Sequence, residues 1–402
     1  MNDNLYSDLS YKLTTQLSKK EKKDDGIFFT PYNIINDSVN FVLSKINPQT
    51  ILEPSCGSCE FVKILNKKLK STDIDAIEFN EKIYDEIQHI DWETQNNVTL
   101  YELDYLKYQT EKKYDLIIGN PPYFVMKKKE VHKNYDKYYD GRPNIFILFI
   151  VKSLWLLKDN GILSFVIPKS FVNSVYYNKL RFIINKKYTI LKIFEYEKSK
   201  FIDTEQETIT LIIQKVSGNN NKFVLIRNNI VLFNTPKKIN ELKECYKDSK
   251  TLKELGFEAK IGTIVWNQVK DKLTDDNSKT LLIYSSDIKN NKLSIQNYKN
   301  KEKKNYIDKK GSNELLLVIN RGYGNAKYKF VYCLLDMKKE YLVENHLICI
   351  RSGKKKVKKE LREYYKKIIK SLNNEKTKKF IDLYCGNNAI NTKELNEIVP
   401  IY

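Results

Sequence analysis

The chain has 402 residues, 41% of them hydrophobic and 30% charged, enough apolar material for a full α/β core and a second domain. Lys and Arg number 70 against 50 Asp and Glu, a formal net charge of +20, and no apolar run is long enough for a membrane span or a signal peptide, which implies a soluble cytoplasmic protein. Six cysteines without regular spacing and only three histidines, at 89, 132 and 346, argue against a disulfide framework, a metal centre and Ser/His/Asp chemistry.

In chain order, Ile51-Leu52-Glu53 reads as a short buried strand. It runs into the small-residue loop Pro54-Ser55-Cys56-Gly57-Ser58-Cys59 and a helix starting near Glu60-Phe61-Val62. Small residues there let a ligand approach the backbone at a helix N-terminus. Cys56 and Cys59 have the spacing of a redox or half-zinc motif, but there is no second close Cys/His pair, and no metal is expected. Ile74-Asp75-Ala76-Ile77-Glu78 is a second strand ending in a carboxylate, where an open α/β sheet presents an acid to a ribose diol. Tyr101-Glu102-Leu103-Asp104-Tyr105 reads as a third, with Asp104 placed to accept from an adenine amine. Asp115 belongs to a turn before the fourth, Leu116-Ile117-Ile118-Gly119.

That strand leads directly into Asn120-Pro121-Pro122-Tyr123. Two prolines rigidify the turn and remove two backbone donors, so the Asn120 side-chain oxygen and the Pro121 carbonyl can converge on one exocyclic amine. Tyr123 would stack on the ring carrying it. Asn and Pro also occur in tight turns for conformational reasons alone, so the string gains meaning from the three strand ends before it.

The excess charge is unevenly distributed. Residues 1–217 hold 31 Lys and Arg against 29 Asp and Glu, whereas residues 218–402 hold 39 against 21. The break falls at the polar run Ser217-Gly218-Asn219-Asn220-Asn221-Lys222. A neutral half beside a basic half suits a catalytic domain over 1–217 and a phosphate-gripping domain over 218–402, although lysines can also be a solvated surface. In the basic half, residues 281–284, 315–319 and 347–350 read as strands, and residues 357–372 have helical spacing. The fork-shaped polar groups of Trp266-Asn267-Gln268 and of the loop bearing Arg321, Tyr323 and Asn325 make these the candidate DNA-contacting residues. His346 is expected to satisfy a local hydrogen bond.

In this order of motifs the chain resembles the gamma-class DNA adenine-N6 methyltransferases of type II restriction-modification systems. Phe28-Phe29-Thr30-Pro31 resembles their N-terminal cofactor motif, Glu53 to Gly57 the first strand-loop motif, Glu78 the ribose acid, Asp104-Tyr105 the adenine-contacting pair and Asn120 to Tyr123 the catalytic motif. Residues 144–149 and 161–168 look like the next helix and strand, and Phe201, before the strand at 208–213, lies where the family places a second aromatic against the target base. Cys59 stands where the family usually has glycine.

The resemblance implies a Rossmann-like class I sheet followed by a mixed α+β target-recognition domain. The implied cofactor is S-adenosylmethionine, leaving as S-adenosylhomocysteine, held by Thr30, Pro31, Glu53, Pro54, Ser55, Cys56, Gly57, Glu78, Asp104, Tyr105, Asn120 and Pro122. Double-stranded DNA is the implied substrate, with the adenine flipped out and gripped by Asn120, Pro121, Pro122, Tyr123 and Phe201. With about 25 residues before the first motif, too few for a nuclease domain, the expectation is a monomeric stand-alone methylase, no membrane association, and at most a separate cognate endonuclease as partner. The same pocket also serves methyltransferases of protein glutamine and of adenine in structured RNA, and an inactive DNA-binding relative is the alternative from another class.

Overall fold

The computed structural model describes residues 5–402 apart from 94, 197–200, 203–205, 322–327 and 385–389. Seven strands form one sheet in the order β3-β2-β1-β4-β5-β7-β6. Their ranges are β1 Thr50–Glu53, β2 Asp73–Glu78, β3 Asn97–Glu102, β4 Tyr114–Gly119, β5 Leu157–Pro168, β6 Thr189–Glu195 and β7 Thr208–Gln214. The first five are mutually parallel, while β7 runs antiparallel to both neighbours. This is the Rossmann-like sheet that the resemblance implies. After β3 the chain returns to the other side of β1, so β1 and β4 flank the point where strand order reverses and where such sheets hold a ligand beyond their carboxyl ends.

Before the sheet come α1 Asp8–Gln16, α2 Lys19–Asp25 and α3 Tyr32–Leu43; α4 Glu60–Lys68, α5 Glu81–Ile87, α6 Ile145–Leu156 and α7 Asn178–Lys187 connect its strands. The central strands are buried and largely apolar over residues 116–119 and 161–168, where both faces are covered. One face packs on α6 residues such as Phe146 and Phe149, the other on Ile35, Val39, Phe61 and Leu65 of α3 and α4.

Two local readings are corrected. The third strand ends at Glu102, because the Asp104 carboxylate accepts from Leu106 N at 2.9 Å and caps a 3-10 turn over Tyr105–Lys107. Asp115 lies inside β4 and accepts from Gln49 N, Thr50 N and Thr50 Oγ1, tying the entrances of β1 and β4 together.

The chain divides into two compact units, Met1–Leu225 with Val231–Ile239, and Ile226–Ile230 with Asn240–Tyr402. The polar run at 217–222 falls within the first, where Asn220 accepts from Ile190 N at 2.7 Å and donates to Tyr188 O at 2.8 Å. The second unit is mixed α+β. An antiparallel sheet orders Phe257–Ile261, Leu347–Ser352, Leu316–Asn320 and Tyr332–Leu335, and a second sheet joins Leu273–Thr274, Tyr306–Ile307, Thr280–Ile283 and Tyr341–Val343. The helix Lys358–Leu372 buries Tyr365, Ile368 and Leu372. Cys56, Cys59, Cys245, Cys333 and Cys349 are buried free thiols. Among the described residues no helix is long and apolar enough to cross a membrane.

Candidate active site

Beyond the carboxyl ends of β1, β2 and β4 lies an open cleft of about 940 Å³. Pro54, Ser55, Gly57, Glu78, Asp104, Tyr105, Asn120 and Pro122 line it. A smaller recess of about 300 Å³ shares Ser55, Gly57 and Asn120 with the cleft and adds Thr30, Glu53 and Cys56. Ten of the twelve cofactor candidates thus come together from two strand-loop turns, a strand end and the turn after β4, and Thr30 joins them from the N-terminal segment. Pro31 does not line either cavity; it is the N-cap residue of α3.

The loop after β1 is built for close approach. Cys56 N donates to Ile77 O at 2.8 Å and Gly57 N to Glu78 Oε2 at 2.9 Å. Cys59 holds φ 61° and ψ 26°, the left-handed conformation glycine takes freely, so the cysteine accepts the glycine's backbone in place of changing the loop. Glu78 is 7% exposed, and its other oxygen accepts from Asn80 N at 2.8 Å. Burial pushes its carboxyl above the ordinary range. Glu53 is 2% exposed, its Oε2 has no hydrogen-bond partner, and burial pushes its carboxyl well upward. An orphaned carboxylate oxygen beside the recess fits a cationic group such as an ammonium.

Asn120 is fixed by three segments. Its Nδ2 donates to Phe28 O at 2.8 Å and to Thr30 Oγ1 at 3.0 Å, which turns Oδ1 the other way, toward the hydroxyl of Tyr123. Ser55 Oγ donates to the Asn120 carbonyl at 3.2 Å. Gly26, at φ 67°, closes α2 directly against the same turn: a Cβ there would sit 2.6 Å from Tyr123 N.

Tyr123 departs from the expected pose. Its single hydroxyl hydrogen faces two acceptors, Asn120 Oδ1 and Val166 O (2.8 Å), and its ring stacks on Phe28 with centroids 6.2 Å apart and 24° between planes. Burial raises its pKa well above the phenol range, so the hydroxyl is a donor and not a base. Phe201 is corrected too: at 4% exposure it belongs to the core on one face of the sheet, whereas Tyr123 packs with the cluster on the other, so the two rings do not form a sandwich. Pro121 is buried.

Sequence reasoning missed several lining residues: Asp25, Ile27, Phe79, Phe124, Met126 and Phe149. Phe79 is 63% exposed immediately after the strand-end Glu78, and an aromatic beside that acid was the available signal. Lys152, 9% exposed, was also missed; its ammonium donates to the carbonyls of Tyr105 at 2.6 Å, Leu106 at 3.0 Å and Tyr108 at 2.6 Å and holds the turn beside the cleft. Burial lowers its pKa to about 8.

In the second unit, Trp266–Gln268 is a 3-10 turn with Asn267 and Gln268 exposed, and Lys270 lies 6.0 Å from the Trp266 ring centroid. Arg321 is half-buried, its carbonyl accepting from Ile390 N, while Tyr323 and Asn325 lie outside the described residues. His346 pairs with Glu344 through Nδ1.

Residues 12–202 match the family described as Eco57I restriction-modification methylase. The type II methyltransferase M.CvrRI of Paramecium bursaria Chlorella virus XZ-6E is 29% identical over 99% of this chain and 99% of its own. The modification methylase CviBIII of Paramecium bursaria Chlorella virus NC1A is 27% identical over 100% of each. Among solved structures, the type I restriction enzyme EcoKI M protein matches at TM-score 0.37 and 15% identity over 48% of this chain and 44% of that one. The family and sequence matches support a methyltransferase of the restriction-modification type with S-adenosylmethionine as cofactor.

Proposed function

We propose that the chain methylates the N6 amine of an adenine drawn out of duplex DNA, with the first unit catalytic and the basic second unit reading the target. The observation that carries this reading is the fixed amide of Asn120 at the wall shared by the cleft and the recess. A base edge inside a duplex cannot reach a pocket at a sheet end, so the target leaves the stack.

S-adenosylmethionine supplies an electrophilic methyl on a sulfonium. Its parts suit the cavity: Glu53 would face the ammonium, Glu78 the ribose diol, and Asp104 with Phe79 the adenine. The N6 lone pair of the target is delocalised into its ring. Asn120 Oδ1 has two lone pairs; Tyr123 occupies one and fixes the oxygen's direction, leaving the other for an N6 hydrogen, with the Pro121 carbonyl as second acceptor. These acceptors favour the pyramidal nitrogen as positive charge develops, and the product ammonium then loses a proton to water without a strong base. Removing one such preorganised partner costs on the order of a hundredfold to a thousandfold in rate.

Radiolabelled methyl transfer into duplex DNA, RNA and protein, followed by digestion to nucleosides, tests the reading. The expected result is label in N6-methyladenine from DNA, lost in Asn120→Ala while cofactor binding persists. Label in RNA or in glutamine alone, or a wild-type rate from Asn120→Ala, refutes it.

A further inference from the structure

Between the turn after β4 and the start of α6 the chain makes an excursion, residues 127–142, that the proposed chemistry does not use. Its two ends are tied together: Val125 bridges Asn144, Met126 N donates to Pro143 O at 2.9 Å, and Ile145 N donates to Phe124 O at 3.0 Å. Phe124 and Met126 on the way in and Ile145 on the way out line the cleft, so the excursion rises from its rim.

The inward side is aromatic. Tyr135, Tyr138 and Tyr139 are at most 8% exposed, and Tyr135 packs on Trp155 with centroids 5.2 Å apart. That anchoring leaves the charged residues outside: Lys127, Lys128, Lys129, Lys133, Lys137 and Arg142 are all exposed. The three carboxylates of the segment are already engaged. Glu130 lies 3.7 Å from Lys127 Nζ, Asp136 accepts from Tyr139 Oη at 2.8 Å, and Asp140 pairs with Lys179 at 2.8 Å. Lys128, Lys129, Lys133 and Arg142 have no carboxylate partner among the described residues. The first half of the chain is close to neutral, so this is a local concentration of positive charge hidden by the average.

We propose that the rim at 127–142 grips the sugar-phosphate backbone on either side of the base delivered to the cleft. The inference rests on the DNA reading above. A base rotated out of a duplex stays tethered to its strand, so its flanking phosphates must lie at the mouth through which it enters. Unpaired lysines there neutralise those phosphates without regard to sequence, fixing register on the DNA and leaving readout to other residues.

The test uses the full chain with Lys128→Ala, Lys129→Ala and Lys133→Ala combined. Its control combines Lys67→Ala, Lys68→Ala and Lys70→Ala, exposed lysines at and just beyond the C-terminal end of α4, which leads from the loop after β1 back toward the start of β2. Duplex affinity is measured against salt, with cofactor affinity as the check on folding. Three lost phosphate contacts lower the slope of log affinity against log salt by about 2.7, so between 50 and 200 mM salt the wild type loses roughly fortyfold more affinity than the rim variant. Cofactor affinity and the control's slope stay at wild-type values. An unchanged slope in the rim variant, or an equal fall in the control, overturns the rim while wild-type DNA methylation stands. A wild type that neither binds nor methylates duplex DNA overturns the DNA reading and the rim with it.

Discussion

Thr30→Val tests how the amide of Asn120 is held. Thr30 Oγ1 accepts from Asn120 Nδ2 at 3.0 Å, and valine removes that acceptor while keeping shape in a site only 7% exposed. The Phe28 carbonyl, at 2.8 Å from the same nitrogen, remains and still disfavours the flipped amide, in which two oxygens would face each other. The loss is therefore one neutral hydrogen bond, about 0.5–1.5 kcal/mol, or roughly a 2- to 12-fold fall in kcat. Asn120→Asp sets an oxygen against the Phe28 carbonyl and should fall on the order of a hundredfold or more. Because Thr30 also borders the recess, kcat must be read at saturating S-adenosylmethionine, where weaker cofactor binding is invisible. Thr30→Ser restores the acceptor and should recover the rate. A wild-type kcat in Thr30→Val, or a serine variant as slow as the valine one, refutes the claim that this hydroxyl orients the amide.

Gly26→Ala should lower the unfolding free energy by about 1–2 kcal/mol from its left-handed φ of 67° alone, with a further loss as its Cβ displaces Tyr123 N; an unchanged melting temperature contradicts the close approach. Phe79→Ala, at an exposed position, should leave stability intact and weaken cofactor binding roughly 5- to 160-fold through about 1–3 kcal/mol of lost stacking, and calorimetry showing equal affinity rules out that platform. Glu53 has its carboxyl raised by burial, so its contribution to stability is complete below the ordinary carboxylate pKa and is lost as pH rises through the raised one. The ligand-free protein should therefore weaken across that window, cofactor affinity should rise across it with proton release, and Glu53→Gln should reduce both trends to the share that the raised carboxyl of Glu78 contributes. Calorimetry in buffers of different ionisation enthalpy counts the proton, and no proton release would refute the cation-facing role.

What could be read in the sequence was what local rules decide. The strand-loop-helix over 50–68 has small residues only where a ligand and a helix start need them, and Glu78 ends a strand buried along most of its length. The long apolar run of β5 and the helical spacing of 358–372 were equally plain. Asp104 was placed one element early because its side chain competes with the ladder for backbone donors, a choice that alternation does not reveal. Phe201 carried only a position relative to a neighbouring strand, and which face of the sheet it reached depended on packing.

Tyr123 shows why a short motif is an incomplete account of its own geometry. Its pose is set by Val166 O, 43 residues away on β5, by the Phe28 ring and by the end of α2 at Gly26. Asn120 likewise takes its orientation from Phe28 and Thr30, 92 and 90 residues earlier. The four residues after β4 bring the functional groups, whereas the N-terminal segment and β5 bring their directions. A substitution at Gly26 or Thr30 should therefore reach the reacting atoms even though neither residue touches them, and this is why the N-terminal segment belongs to the site and not merely to the cofactor's binding.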